Sequence, residues 1–509
     1  LQLAISLALL IVAGASQAAA IATPWDGQPA GWLQLLSMVV FAWQLDATER
    51  ASRAALIGWV FATSWLAGTF WWLFVAMHTY AGLDAWMAAL AVLVLASLLA
   101  LYYAAAAALF VLCAPASRVG AAAVFASLWM LAELARGVWF TGFGWGAIGY
   151  AHIEHLARSA SYVGAYGVAA LVAGIAFLTM AAVRQQHRTH RTGYLALAAG
   201  LAAMMVWSPG GFTTSTGSIK VALLQGNIAQ DEKFQAGSGV PDALRWYGEQ
   251  LAIPHAPLTV APETAIPLLP QQLPAGYWDA LLGRIRQEGR AVLLGLPLGS
   301  EAAGYTNSVL GIQSAGPEAM TARNYRYDKH HLVPFGEFIP PMFRWFTEMM
   351  AIPLGDFSRG GVGQPSFAWQ GQRLAPNICY EDLFGEELGA RFIDRASAPT
   401  IFVNVSNIGW FGNTVAIDQH LNISRMRSLE FGRPFIRATN TGDTAIIDHT
   451  GRVTHSLARL TRGVLVGEVE GREGTTPFAW WVARLGLWPL WLMGAGVVAA
   501  ACLIRKRGV

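Results

Sequence analysis

The sequence predicts a polytopic α-helical membrane bundle of about eight spans joined to an α/β sandwich domain, and three observations predict it. Hydrophobic residues make up 55% of the 509 and charged residues only 13%, against roughly 25% charge in soluble domains. The imbalance is local, because residues 1–208 and 478–504 are nearly continuous apolar runs while 219–470 has an ordinary soluble composition. Within 219–470, short β-branched runs alternate with turns and helical stretches, the pattern of a layered α/β fold.

A hydrocarbon core of about 30 Å needs roughly 20 apolar helical residues. Candidate spans are Leu1–Ala20, Trp32–Leu45, Ala54–Met77, Trp86–Leu112, Val119–Leu134, Tyr162–Val183 and Tyr194–Trp207, with Leu485–Ile504 after the soluble part; the second and seventh are short. Leu1 is not an initiator Met, so the natural chain is expected to begin upstream. Ala18, Ala19 and Ala20 resemble a signal-peptide cleavage site, but the spans behind them favour a retained helix. The domains expected are a bundle over 1–210 with an outer-face loop at 136–160, a catalytic domain over 219–470, and a final span with a basic tail over 478–509.

Arg and Lys in the connections set the expected orientation. The links after spans two, four and six carry Arg50 and Arg53, Arg118, and Arg184, Arg188 and Arg191; the tail adds Arg505, Lys506 and Arg507. The links Ile21–Gly31 and His78–Ala85 carry none, and only the link after span five breaks the bias, with Arg136 and Arg158. This places both termini in the cytoplasm and the catalytic domain outside, in the periplasm where there is one. In 136–158 the aromatics Trp139, Phe140, Phe143, Trp145 and Tyr150 alternate with glycines, which suits a re-entrant or surface-lying loop as well as an aromatic belt. Glu133 with Arg136 is the main charge within the spans.

In the soluble part, Ile219–Leu224, Leu258–Ala261, Ala291–Leu296, Leu374–Ile378, Thr400–Val405, Phe435–Thr439 and Thr444–Ile447 read as strands, and Asp279–Gln287 and Asp418–Phe431 as helices. Chemistry-bearing residues follow strand ends, where α/β sheets place ligands. Glu263 lies in Ala261-Pro-Glu-Thr-Ala-Ile-Pro267, Cys379 follows Leu374–Ile378 and opens a helix over Tyr380–Leu388, and Asn404, Ser406 and Asn407 close the Thr400 strand. Lys329 lies in Tyr327-Asp-Lys-His-His-Leu-Val-Pro-Phe-Gly-Glu337.

A carboxylate, an ammonium and a thiol are the parts of a Glu-Lys-Cys acyl-transfer site. A thiol needs a base and nearby positive charge to attack an ester, so Cys379 is the expected nucleophile, Glu263 the base and Lys329 the electrophilic partner. The strand-to-helix turn offers the Tyr380 N–H to an oxyanion. Lys220, Lys233 and Lys329 are the only lysines of 219–470, which makes a chance lysine less plausible there. His330, His331 and His420 allow a rival Cys-His site. Cys113 and Cys502 fall in apolar spans, and no disulfide pairing follows from the sequence. The net charge of +3 is too small and scattered for nucleic acid. Without Walker, Rossmann or metal-ligand spacing, no nucleotide, metal or other cofactor is expected.

These segments, together with Val403-Asn-Val-Ser-Asn-Ile-Gly-Trp-Phe-Gly412, Arg425-Met-Arg-Ser-Leu-Glu-Phe-Gly-Arg433 and Trp139-Phe-Thr-Gly-Phe-Gly-Trp145, resemble the apolipoprotein N-acyltransferases of the nitrilase, or carbon–nitrogen hydrolase, superfamily. Ile408 departs from the pattern, standing where many relatives carry a polar residue. The resemblance implies a nitrilase-like αββα sandwich and a two-step transfer through a thioester. The donor is then a phospholipid, phosphatidylethanolamine, and the acceptor the N-terminal amine of an S-diacylglyceryl-cysteine apolipoprotein. It further implies an inner-membrane monomer among membrane lipids, with Glu337 and Glu381 supporting the triad. Tyr380 would line a substrate pocket and Phe234 would stand on a mobile lid; Trp145 and Asn407 would complete the substrate surroundings, with Asn307 as polar lining or a turn residue. The alternatives are a membrane-anchored nitrilase-type amidase acting on a small soluble substrate, or a transporter or scaffold with a degenerate domain. Eight spans argue against the first and the intact Glu, Lys and Cys against the second.

Overall fold

The computed structural model describes residues 2–207, 211–287, 289–313, 324–339 and 357–507; Leu1, the expected first residue of span one, lies outside them. The chain forms two compact units: Leu1–Gly211 with Thr414–Glu430 and Thr476–Val509, and Phe212–Asn413 with Phe431–Thr475.

In the first unit a helix occupies each of the eight expected places. They are Gln2–Ile21, Gly31–Asp46, Ala51–Phe70 continued at a bend by Leu73–Tyr80, Ala85–Cys113, Arg118–Val138, Ala160–Arg184, Arg188–Val206 and Trp488–Arg507. Among the described residues five are long and apolar enough to cross a membrane, six if the bent pair is one span. The Gly31–Asp46 and Arg188–Val206 helices fall outside that set. Asp46 pairs with both Arg118 and Arg184, and Arg505 donates to the carbonyl of Val111. The ends of helices two and six, the start of helix five and the tail therefore meet at one end of this unit. Cys113 and Cys502 form a disulfide across 389 residues. The sequence reading found no pair because only packing brings these two helices together.

The stretch after Val138 is neither a span nor a plain belt. It runs through short 3-10 turns at Trp139–Thr141, Ile148–His152 and Ala157–Ser159, with Phe140 and Thr141 at positive φ. The buried pair Glu133 and Arg136 holds it. Arg136 donates to the carbonyls of Phe143 (2.6 Å) and Trp145 (2.7 Å), and Glu133 accepts from the Ile148 N–H at 2.9 Å. Charges otherwise costly in an apolar bundle thus satisfy loop backbone that has no helix to bond to.

Helix Ala416–Phe431, except its last residue, belongs to this unit. It is polar but buried, and many of its polar groups are tied. Gln419 accepts from the indoles of Trp72 (3.0 Å) and Trp145 (2.8 Å), Arg425 bonds Glu154 at 2.5 Å, Arg427 reaches Tyr150, and Glu430 takes the Ala165 N–H.

The second unit is built on two six-stranded sheets among the described residues. The strands are β1 (Thr213–Gln225), β2 (Leu258–Val260), β3 (Ala291–Ser300), β4 (Gly304–Gln313), β5 (Tyr325–Asp328), β6 (Phe367–Trp369), β7 (Gln372–Ile378), β8 (Ile401–Ser406), β9 (Phe435–Thr439), β10 (Ala445–Ile447), β11 (Val453–Ser456) and β12 (Gly463–Gly474). The sheet orders are β12-β1-β2-β3-β4-β5 and β11-β10-β9-β8-β7-β6. Each sheet has three parallel strands at its centre, β1-β2-β3 and β7-β8-β9, flanked by antiparallel edges.

All seven expected strands are present. Five more were not expected: β4, β5, β6, β11 and β12, all next to or at sheet edges; polar residues interrupt four of them, and β6 (Phe367–Trp369) is only three residues long. Strand alternation divides the core. Ala291 and Leu293 join Val221, Leu223, Ile378, Val403 and Ile436 between the sheets. Val292, Leu294 and Leu296 face the helices Gly239–Ala252 and Tyr277–Gln287 through Tyr247, Leu251, Leu281 and Ile285. The expected helix after Cys379 is instead a 3-10 turn, Cys379–Leu383, followed by the short helix Gly385–Gly389.

Candidate active site

Three of the candidate residues leave the carboxyl ends of central parallel strands. Glu263 follows β2, Cys379 follows β7 and Asn407 follows β8. Lys329 follows the edge strand β5, held by its N–H to the Asn307 carbonyl at 2.8 Å. Cys379 has φ 55 and Thr264, beside Glu263, φ 47. Positive φ in residues other than glycine is strained and persists only where surroundings enforce it. For Cys379 the enforcement is visible: Asn404 donates to its carbonyl at 2.7 Å, and Glu381 takes the Ile378 N–H at 2.7 Å.

The charged groups meet in a buried cluster. Lys329 Nζ lies 2.9 Å from Glu337 Oε1 and 3.3 Å from Glu263 Oε1. The Asn307 amide donates to both carboxylates, at 2.7 Å to Glu263 and 2.8 Å to Glu337. The second oxygen of Glu263 accepts from the Asn407 N–H at 2.8 Å, and that of Glu337 from the Val333 N–H at 2.8 Å. Burial would raise the Glu263 carboxyl, but Lys329 and Lys233, with the bonds from Asn307 and Asn407, hold it below its usual range. Burial would likewise lower Lys329, and the two carboxylates hold it well above the ordinary ammonium range.

Cys379 is half-buried. Packing around its sulfur, and then the Glu263 charge, push the thiol up to about 12 against the pull of Lys329 and the Ser406 hydroxyl. These surroundings favour the neutral thiol at rest.

Glu381 clasps the two halves of the site. Oε1 accepts from the N–H groups of His330 (2.7 Å) and His331 (3.1 Å), beside Lys329; Oε2 accepts from Ile378 and from the Tyr327 hydroxyl (2.8 Å). Tyr380 makes a second tie, its hydroxyl donating to the Leu332 carbonyl at 2.7 Å while Lys329 Nζ stands 5.7 Å over its ring. Its polar end is thus anchored rather than offered to a ligand. His331 bonds Glu387 at 2.8 Å and His330 the Gly360 carbonyl at 2.7 Å. His420 packs on Trp145 at 5.6 Å in the helical unit. Trp145 is buried there, donating to Gln419, and is not one of this cluster.

Phe234 is 54% exposed on a turn after β1. Its neighbour Lys233 is buried instead, its Nζ 3.1 Å from the Glu263 carbonyl and 5.9 Å from the centre of the Phe234 ring. In the sequence Lys233 is marked only as one of three lysines of 219–470. Gln230 and Asn440 bond Asn407 at 2.8 and 3.0 Å and join that turn to the site. All three lie in polar segments of the kind that form ordinary turns, so nothing specific marks them.

Residues 13–178 match the apolipoprotein N-acyltransferase N-terminal domain, and residues 220–477 match the carbon-nitrogen hydrolase family. The chain is 59% identical over 501 residues to an apolipoprotein N-acyltransferase of Verminephrobacter eiseniae, covering 94% of this chain and 92% of that one. It is 44% identical to that of Ralstonia nicotianae (94% and 90% covered) and 38% identical to that of Chromobacterium violaceum (94% and 90%). With a helical unit and a two-sheet hydrolase unit both matched along nearly full-length relatives, this chain belongs to the apolipoprotein N-acyltransferase family.

Proposed function

We propose that this membrane protein completes lipoprotein maturation by moving a fatty acyl chain from a phospholipid, phosphatidylethanolamine, onto the N-terminal amine of an S-diacylglyceryl-cysteine apolipoprotein, with Cys379 as the carrier. The observation that carries the assignment is the strained Cys379 turn facing a buried Glu263–Lys329–Glu337 cluster.

In the first half-reaction the sulfur bonds to the ester carbonyl carbon while its proton passes to Glu263. Lys329 and the Tyr380 N–H face the charge that develops on oxygen. The carbon–oxygen bond then breaks, the Glu263 proton goes to the leaving lysophospholipid hydroxyl, and a thioester remains. In the second half-reaction the acceptor amine bonds to the same carbon and gives its proton to Glu263. The carbon–sulfur bond breaks and Cys379 recovers the proton.

Lys329 holds its charge while Glu263 is protonated because Glu337 stays beside it at 2.9 Å. Phe234 acts on lipid tails from the turn after β1, and Trp145 contributes to lipid handling from the helical unit. Both termini lie on the cytoplasmic side of the inner membrane and the catalytic unit in the periplasm. Support for this comes from the meeting of Asp46 with Arg118 and Arg184 at one end of the helices, where basic residues favour the inside. The enzyme acts as a monomer.

The test is the intact mass of the full chain after exposure to phospholipid alone. One fatty-acyl adduct on Cys379, with lysophospholipid released in matching amount before any acceptor is added, is the expected result. Lysophospholipid appearing only when acceptor is present would replace the covalent relay with direct transfer.

A further inference from the structure

Lys233 is a buried amine that the two half-reactions above do not use. Only 1% of it is exposed, although it sits on a turn whose other charged residues, Asp231 and Glu232, face water. The turn is closed by backbone: the Lys233 N–H bonds the Ala229 carbonyl at 2.9 Å. Gly239 packs so tightly beneath it that a Cβ there would come within 2.1 Å of the Glu232 carbonyl oxygen. A lysine side chain loses up to ~2 kcal/mol of rotamer freedom on burial, in addition to the cost of desolvating its charge. Lysines therefore seldom go fully inside without a partner.

Here the Nζ donates to the main-chain carbonyl of Glu263 at 3.1 Å. The groups whose charge it feels are the Glu263 carboxylate and the Cys379 sulfur. Lys329 and Glu337 lie beyond Glu263, and Arg437, ion-paired with Asp382 at 3.2 Å, acts on the sulfur as well.

Counting charges shows what the amine does. Glu263 and Glu337 bring two negative charges and Lys329 one positive. With Lys233 protonated these four groups sum to zero; with Lys233 neutral they carry one net negative charge beside the sulfur that gives up its proton and the carbonyl oxygen that becomes the oxyanion. We infer that Lys233 is a positioning residue of the acyl-transfer site, whose ammonium fixes the Glu263 backbone and supplies the second positive charge that lets Cys379 give up its proton.

The inference rests on Cys379 being the nucleophile. Burial, working against the attraction of Glu263, brings the Lys233 ammonium down to about 7, so its charge is present below that pH and lost above it. Lys329, shared by two carboxylates, keeps its charge over the same range. The first half-reaction should then slow as pH rises through 7, the opposite of what simple thiol ionisation gives.

The experiment follows the rate of acyl-thioester formation on Cys379 from pH 5 to 9. It uses the full chain in detergent with phosphatidylethanolamine and no acceptor, so that no acceptor amine titrates. Wild type, Lys233→Arg and Lys233→Met are compared, each with a thermal melt. The wild-type rate is expected to fall about tenfold or more above pH 7. Lys233→Arg, whose guanidinium stays charged, is expected to hold its rate to pH 9. Lys233→Met is expected to be slower by about tenfold or more at pH 6, short of the ~10²–10³ typical of a direct oxyanion donor, and to lose the fall near 7.

A wild-type rate that does not fall across this range overturns the inference, whether or not the variants fold. So does an unchanged rate in Lys233→Met, or an alkaline fall in Lys233→Arg identical to wild type. A wild-type chain that never carries an acyl group on Cys379 overturns the nucleophile assignment and this inference with it. A Cys379 acyl-enzyme that is indifferent to Lys233 overturns the inference alone.

Discussion

Lys329 Nζ lies closer to Glu337 (2.9 Å) than to Glu263 (3.3 Å). The ammonium is shared between Glu263, whose charge acts on it most, and Glu337, a carboxylate that takes no proton in the proposed reaction, so Glu263 is less firmly neutralised than in a simple ion pair. Glu337→Gln removes that competition, and Lys329 should then pair more tightly with Glu263 and weaken it as a base. Thioester formation is expected to slow by about 10- to 10²-fold, the lower part of the range for a positioned acid–base group. The KM for phospholipid should stay within about twofold, since uniform binding is untouched. Steady-state and single-turnover rates on the purified variant check this; a raised KM with normal turnover would place Glu337 in substrate binding instead.

The three reacting groups make a sharper prediction about pH. Glu263 is held below the ordinary carboxylate range, so the base form persists as pH falls until it passes that lowered value. The acid limb of thioester formation should therefore lie below about pH 4.5, not near the 6.5 of an ordinary histidine. Cys379→Ala should carry no acyl group, and Glu263→Gln and Lys329→Met should each lose about 10²-fold or more. His420→Ala should cost much less. An acid limb near 6.5 that vanishes in His420→Ala would restore the Cys-His alternative.

Glu381 joins the N–H groups of His330 and Ile378 through one carboxylate. Burial raises its carboxyl above the ordinary range, opposed by the bond from Ile378 and the charge of Lys329. Glu381→Gln keeps the volume but points an amide donor at one of the N–H groups it now accepts from. A buried donor left unsatisfied costs about 1–3 kcal/mol, so the variant should melt lower and alkylate faster at Cys379 as the strained turn relaxes. Unchanged melting with lost activity would mean that Glu381 acts on substrate directly.

The cysteines can be counted directly. With Cys113 and Cys502 joined, one thiol per chain should react with maleimide in denaturant, and three after reduction. A double Cys113→Ser, Cys502→Ser variant should keep full acyl transfer, because neither sulfur belongs to the cluster around Cys379. Three reactive thiols before reduction would show the pair to be open.

Much of the fold and site was legible because it rests on local patterns. Seven β-branched strands, and Glu263, Lys329 and Cys379 in their distinctive segments, can each be read from a dozen residues or fewer, and an apolar run of membrane length from roughly 20. What remained hidden depended on neighbours remote in sequence. Strands β4, β5, β11 and β12 carry too many polar residues to register as strands until a sheet pairs them, and β6 is only three residues long. Asn307 could not be told from a turn residue until β4 placed it between Glu263 and Glu337. Helix Ala416–Phe431 reads as part of the soluble half, yet its polar groups find their partners in Trp72, Trp145, Glu154 and Tyr150 of the helical unit. Lys233 and Phe234 are adjacent, and nothing in their spacing says that one is buried at the cluster and the other exposed. The sequence by itself determined the chemical parts and the medium each half lives in, because those follow from side-chain type and run length. Tertiary structure alone decided which charges share a buried space, and it is that shared space, where water no longer screens them, that sets the charge on Glu263, Lys329, Lys233 and Cys379.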